Sequence, residues 1–296
     1  MILPHAGSRE NVEARSVIAQ QGKSMAPGDS HAASASRIGA PPRLPSRERL
    51  ILWAGILSVT AISWFVLVRM PMPSASISGQ IVGGMAAVMC AGPTLWSVRE
   101  AGLIFAMWTV MMAAMMLPSA GPMIEMHARI ARGRGIGRGL RTWLFAAGYL
   151  IAWTGFGAAA TSVQYPLERI RIIGDAMRVG PVAGGVLLIA TGVYQITPLK
   201  QACLMKCRTP LGFFMTEWRS GDRGALLMGL KHGVFCVACC WLLMALMFVG
   251  GAMNLAWAAA LTIFVLLEKA TRWGGAFSRA SGVIMMASGL AVVTFG

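Results

Sequence analysis

Leu226 to Val249 reads LLMGLKHGVFCVACCWLLMALMFV, a long apolar run broken by one lysine, one histidine and three cysteines. A run of this length covers the hydrocarbon core of a bilayer as a single helix, since each residue adds about 1.5 Å to a required ~30 Å. The reading of this stretch decides the fold class: all-α, with helices that span a membrane. At about 100° per residue, His232, Cys236, Cys239 and Cys240 fall within an arc of roughly 100°. One imidazole and three thiols can therefore share a face of that helix.

Composition extends the reading to the whole chain. Of 296 residues, 56% are hydrophobic and 12% charged, and the mean hydropathy is +0.64, well outside the range of a soluble domain. Net charge is +15, but the basic residues lie between apolar segments instead of on one amphipathic surface. They act as topology signals, and nucleic acid is not an expected partner; membrane lipids are.

Seven apolar segments are predicted to span, at about Leu50–Val68, Gly102–Ile124, Thr142–Val163, Pro181–Thr197, Leu226–Val249, Met253–Leu267 and Gly282–Phe295. Residues 1–49, rich in Ser, Ala, Gly, Pro and Arg, read as a disordered basic tail, and 50–296 as the transmembrane helical domain. Residues 74–100 are Gly- and Ser-rich and are not counted as a span. Pro118 and Pro122 are expected to kink or end the second helix. Lys and Arg concentrate in the tail and in alternate connections, which predicts an N-in, C-out arrangement in a bacterial inner membrane.

Five of the six cysteines lie between positions 203 and 240, a local cluster more than a disulfide framework. Cys203 and Cys207 are one helical turn apart in the connection before the fifth span. With the predicted topology they approach the cytoplasmic end of that span, together with His232, Cys236, Cys239 and Cys240. The second span ends on the same side and brings His127 to a similar depth. Thiolate, imidazole and thioether donors select Cu(I) or zinc over magnesium or calcium.

The chain also has 22 methionines. Met107, Met111 and Met115 form one stripe of the second span, Met112 and Met116 turn onto its neighbouring face, and Met244 and Met247 continue the fifth span beyond the cysteines. Core packing and a secondary soft-donor path for Cu(I) both fit this spacing.

The residues from Trp108 to Pro118 with their Met pairs, Tyr194 to Lys200 followed by Cys203 and Cys207, and His232-Gly233 leading to Cys236, Cys239, Cys240 and Trp241 resemble a bacterial family of predicted metal-binding integral membrane proteins, a domain of unknown function. The resemblance covers about residues 100–270 and implies metal binding. The expected function is to hold a soft metal ion at the cytoplasmic boundary for transport or delivery, with a metallochaperone or a membrane complex subunit as partner.

Two readings from other classes stand beside it. The Cys236-x-x-Cys239 pair fits a membrane thiol–disulfide relay to a quinone, and packed cysteines fit a structural or assembly subunit. No nucleophile elbow, phosphate-binding loop or metalloprotease motif is present, which argues against other enzymes.

Overall fold

A computed structural model of the chain describes residues 44–69, 96–134, 139–174, 177–271 and 273–295. The expected basic tail lies outside the described residues except at its end, where the first helix, α1 (Ser46–Arg69), begins before Leu50. The segment set aside at 74–100 likewise lies outside them up to Trp96. There Ser97 and Glu100 form a capping box, Ser97 N donating to Glu100 Oε2 at 2.6 Å and Glu100 N to Ser97 Oγ at 3.3 Å. Two otherwise unpaired N–H groups are satisfied, and α2 (Val98–Gly133) starts at that point.

Pro118 and Pro122 do not end α2, which runs on to Gly133. The carbonyl of Met116, in the proline turn, accepts from Tyr149 Oη at 3.0 Å and from Ser119 Oγ at 2.8 Å, which ties this turn to a neighbouring helix. Next come α3 (Leu140–Arg169) and a two-residue antiparallel pair, β1 (Ile173–Gly174) and β2 (Arg178–Val179), in the register Ile173 to Val179 and Gly174 to Arg178.

The chain then makes α4 (Pro181–Ile196) and α5 (Pro198–Arg208), which meet at 66°. Pro198 cannot continue α4, and Thr197 caps α5 by accepting from Lys200 N at 3.3 Å. After α6 (Pro210–Glu217) come α7 (Gly221–Ala245) and the short α8 (Met247–Gly250). Gly251, at φ +90°, turns the chain into α9 (Leu255–Ala270), capped by Asn254 Oδ1 accepting from Trp257 N at 3.1 Å, and α10 (Gly274–Phe295) follows.

Each predicted span lies in a helix, so the all-α class holds. Among the described residues, five helical runs are long and apolar enough to cross a membrane, α1, α2, α3, α7 with α8, and α10, and the bent pair α4–α5 counted as one span makes six, against the seven expected. The sixteen residues of α9 reach only about 24 Å at 1.5 Å per residue, short of a ~30 Å core.

Glycine sets the most intimate helix contact, that of α3 with α7. A Cβ on Gly229 would stand 1.9 Å from the carbonyl oxygen of Phe145, and one on Gly148 would stand 2.1 Å from that of Leu226. The two backbones touch because neither residue has a side chain. This contact places Phe145 and Tyr149 of α3 directly over His232 and Cys236 of α7. Large apolar side chains on α1 and α10, such as Leu50, Ile62, Phe65, Ile284 and Leu290, face outward, a surface suited to hydrocarbon and not to water.

Candidate metal centre

α7 carries His232, Cys236, Cys239 and Cys240 on its buried face, at 3%, 1%, 1% and 1% exposure. The helical period predicted this shared face. Against it lies α5, one of the closest neighbours of α7. The helix at 198–208 makes good the one-turn spacing of Cys203 and Cys207, and Cys207 lies near Cys236 and Cys239. Cys240 lies one turn from Cys236 on the same face, while Cys203, half-buried, lies within electrostatic reach of Cys239. Four thiols from two helices are thus near one another, with a fifth beside them, and all five are free.

Two of the thiols are tied to the backbone of the third. Cys239 Sγ and Cys240 Sγ both donate to the carbonyl oxygen of Cys236, at 3.1 and 3.0 Å. Among the described residues, no three His, Cys, Asp or Glu side chains are already posed around one ion position. Rotation of the thiols off the carbonyl, together with loss of their protons, converts the cluster into a donor set.

Two polar groups converge on Cys236 that hydropathy gave no reason to place there. Lys269 Nζ, from α9, lies 2.9 Å from Cys236 Sγ and 3.2 Å from Ser119 Oγ. Tyr149 Oη lies 3.1 Å from the same sulfur. An ammonium and a phenol against one sulfur stabilise it as a thiolate, the form that binds soft metals.

Next to Lys269, Glu268 is 1% exposed and Lys200 of α5 is 0% exposed. They pair at 2.8 Å to Oε1 and 3.1 Å to Oε2. Tyr194 Oη donates to the carbonyl of Ala238, and Arg208 Nη2 donates to that of Thr271. Polar contacts therefore bind the bent pair α4–α5 to α7 and α9 at both ends of the thiol cluster. In sequence, the sole signal for this was two charges, Glu268 and Lys269, following directly on an apolar run, and by sequence alone they mark the end of a span.

His232 is held by rings. It stacks on Tyr149 (centroids 5.6 Å, 26°) and Phe145 (6.0 Å, 22°), with Phe213 edge-on at 5.5 Å. Its Nδ1 is buried without a hydrogen-bond partner, which leaves a nitrogen free to accept a cation. His127 is not part of this group. It stacks on the opposite side of Phe145 (5.0 Å, 20°) and against Trp218 (5.6 Å, 22°), with Nδ1 3.4 Å from Thr142 Oγ1. Phe145 separates the two imidazoles, so His127 shares the depth of the thiols without sharing their neighbourhood.

Met107, Met111, Met112, Met115, Met116, Met244 and Met247 are all buried in the core, none above 2% exposed. All seven are packed in the core, where a thioether is at once an apolar filler and a soft donor.

A family model described as PpoB2, copper chaperone, matches residues 105–292. The match takes in both helices that carry the cysteines, together with Tyr149 and Lys269. No curated protein and no solved structure matches the chain.

Proposed function

The chain belongs to the PpoB2 copper-chaperone family, and from that premise we propose that it is an integral protein of the bacterial inner membrane that takes up Cu(I) as cargo and passes it on. The ion binds among Cys207, Cys236, Cys239 and Cys240, with Cys203 and His232 as flanking donors. The observation that carries this reading is that Cys207, on α5, lies near Cys236 and Cys239, on α7. Packing alone gives no reason to add thiols from a second helix to the three on α7, since cysteine contributes little more than a small apolar side chain.

Cu(I) is satisfied by two or three sulfurs and does not require the tetrahedral donor set that zinc takes. The centre fits that demand. Each thiol that binds loses its proton, and a buried thiolate is costly unless a cation faces it. Lys269 supplies that cation at Cys236 before the metal arrives, so one donor already has a counter-charge against it.

Release is the other half of a chaperone's work. Cys203 is half-buried, and two residues further along α5 Met205 is 63% exposed. The outer face of α5 is therefore where a partner's thiol can begin ligand exchange, and that partner is a metallochaperone or a subunit of a membrane complex. In the N-in, C-out arrangement this exchange takes place at the cytoplasmic boundary. Copper in the family's description favours this cargo over zinc, and over a thiol–disulfide relay.

The test is metal content. Purified full-length protein supplied with Cu(I) under reducing conditions is expected to retain copper in stoichiometric amount. The variant with Cys203, Cys207, Cys236, Cys239 and Cys240 all changed to Ser is expected to lose the ion bound at the thiols. Wild-type protein without stoichiometric copper after such loading overturns the proposal.

A further inference from the structure

A second group of soft donors lies well away from the thiols. A cavity of about 10 Å³ is enclosed by Met107 and Met111 of α2, Met253 of the turn after α8, and Leu67, Leu255 and Ala258. This is about the space of one water molecule, but a buried water needs two to four polar partners. None of the described residues that line the cavity has a side-chain oxygen or nitrogen. The side-chain donors among them are three thioether sulfurs.

The exposures of these residues differ in a useful way. Met107 and Met111 are 1% and 2% exposed, whereas Met253 and Leu255 are only partly buried. Two methionines form a floor and one stands at a mouth. Met253 is held there by local chemistry, because Gly251 takes φ +90° and Asn254 caps α9 immediately after it. The place is also in line with the centre already described. Met244 and Met247, both 0% exposed, lie between it and Cys240 along α7 and α8, the seven residues from Cys240 to Met247 covering about 10 Å at 1.5 Å each.

We propose that Met107, Met111 and Met253 form a second Cu(I) site, built only of thioethers, at the end of the helix bundle opposite the thiols. The inference rests on copper being the cargo. Three neutral sulfurs favour a soft monovalent ion and give magnesium, calcium and zinc no oxygen, nitrogen or thiolate to bind. Thioethers carry no proton, so the site binds without proton release and weakly enough to exchange. The two sites thereby divide the work: tight, proton-coupled binding at the thiols and labile, proton-independent binding where Met253 opens outward. In the N-in, C-out arrangement, this second site faces the side away from the cytoplasm.

The experiment uses the full-length chain with all six cysteines changed to Ser, titrated anaerobically with Cu(I) against a chromophoric chelator at pH 6 and pH 8. One Cu(I) per chain is expected, with the same affinity at both pH values and sulfur-only neighbours at the copper K-edge. In the same background, M107L, M111L and M253L together are expected to weaken binding at least tenfold. Leu is close to Met in volume and equally apolar, which keeps the core filled and the fold intact.

If the cysteine-free chain does not fold, the three Met changes are made in the wild-type chain, where the copper bound is expected to fall from two ions to one. A cysteine-free chain that binds none, triple-Leu variants that bind as before, or a wild-type stoichiometry that the Met changes leave untouched overturns the site. Failure of the thiol reading has a different signature: cysteine-bearing and cysteine-free chains then bind copper equally.

Discussion

The ion pair of Lys200 and Glu268 bears on both stability and the metal centre. Lys200 is 0% exposed and Glu268 1% exposed, with the ammonium 2.8 and 3.1 Å from the two carboxylate oxygens. The Glu268→Gln change removes the charge and keeps the shape, so the ammonium stays buried without a counter-charge. Breaking a buried pair from one side costs about 3–5 kcal/mol. A melting temperature moves by about 2–4 °C per kcal/mol in domains of 150–250 residues, so a fall of roughly 6–20 °C is expected.

Tryptophan fluorescence during heating in detergent reads this directly. Because Lys200 belongs to the helix that carries Cys203 and Cys207, the same variant is expected to alkylate faster at Cys207. The Lys200→Met, Glu268→Leu double change removes both charges and is expected to melt within a few degrees of wild type, as apolar replacements of buried pairs often do. A Glu268→Gln protein that melts within 2 °C of wild type, or a double variant no better than the single, refutes the reasoning.

Three further outcomes are expected. Gly229→Ala sets a Cβ 1.9 Å from the Phe145 carbonyl and is expected to cost about 3 kcal/mol or more by overpacking. Gly155→Ala, with nothing within 4 Å, is expected to be neutral or to stabilise by about 0.5–1 kcal/mol, and thermal melts of the two variants side by side check the contrast. Cys207→Ser is expected to weaken Cu(I) binding at least tenfold, whereas Cys90→Ser leaves it unchanged, as read by chelator competition. Cu(I) affinity at the thiols is expected to rise with pH by roughly tenfold per unit for each proton released, because protonated thiols predominate at low pH and binding must displace those protons.

Long apolar runs and the turn signals between them located α2, α3, α4, α7 and α9, because in lipid the backbone has no alternative to helix over such lengths. The helix α5, which carries Cys203 and Cys207, was read only as a connection, because it is short and polar. The face shared by His232, Cys236, Cys239 and Cys240 was legible from the sequence, since angular period follows from the helix alone. Local breaker signals were less dependable. Pro198 does end α4, but Pro118 and Pro122 lie inside α2, which runs on to Gly133. No window around a proline distinguishes the two outcomes.

Depth was legible but distance was not. His127 and His232 reach the same level, and Phe145 comes between them. Glu268 and Lys269 follow an apolar run and so mark its end by hydropathy, while the fold buries Glu268 against Lys200 and turns Lys269 onto Cys236. Among the described residues, up to six runs are long and apolar enough to cross, against the seven expected, because α9 has only sixteen residues and α4, also of sixteen, reaches that length only together with α5. Apolarity identifies the segments, but length and bending decide which of them cross.

The most direct test of the central claim is the copper K-edge absorption spectrum of reduced full-length protein carrying one Cu(I) per chain. A Cu(I) edge with two or three sulfur neighbours is predicted, and Cys236→Ser or Cys207→Ser is predicted to change that set. Copper surrounded by nitrogen and oxygen, or a sulfur shell that both substitutions leave intact, contradicts the assignment of the thiols between α5 and α7 as the cargo site.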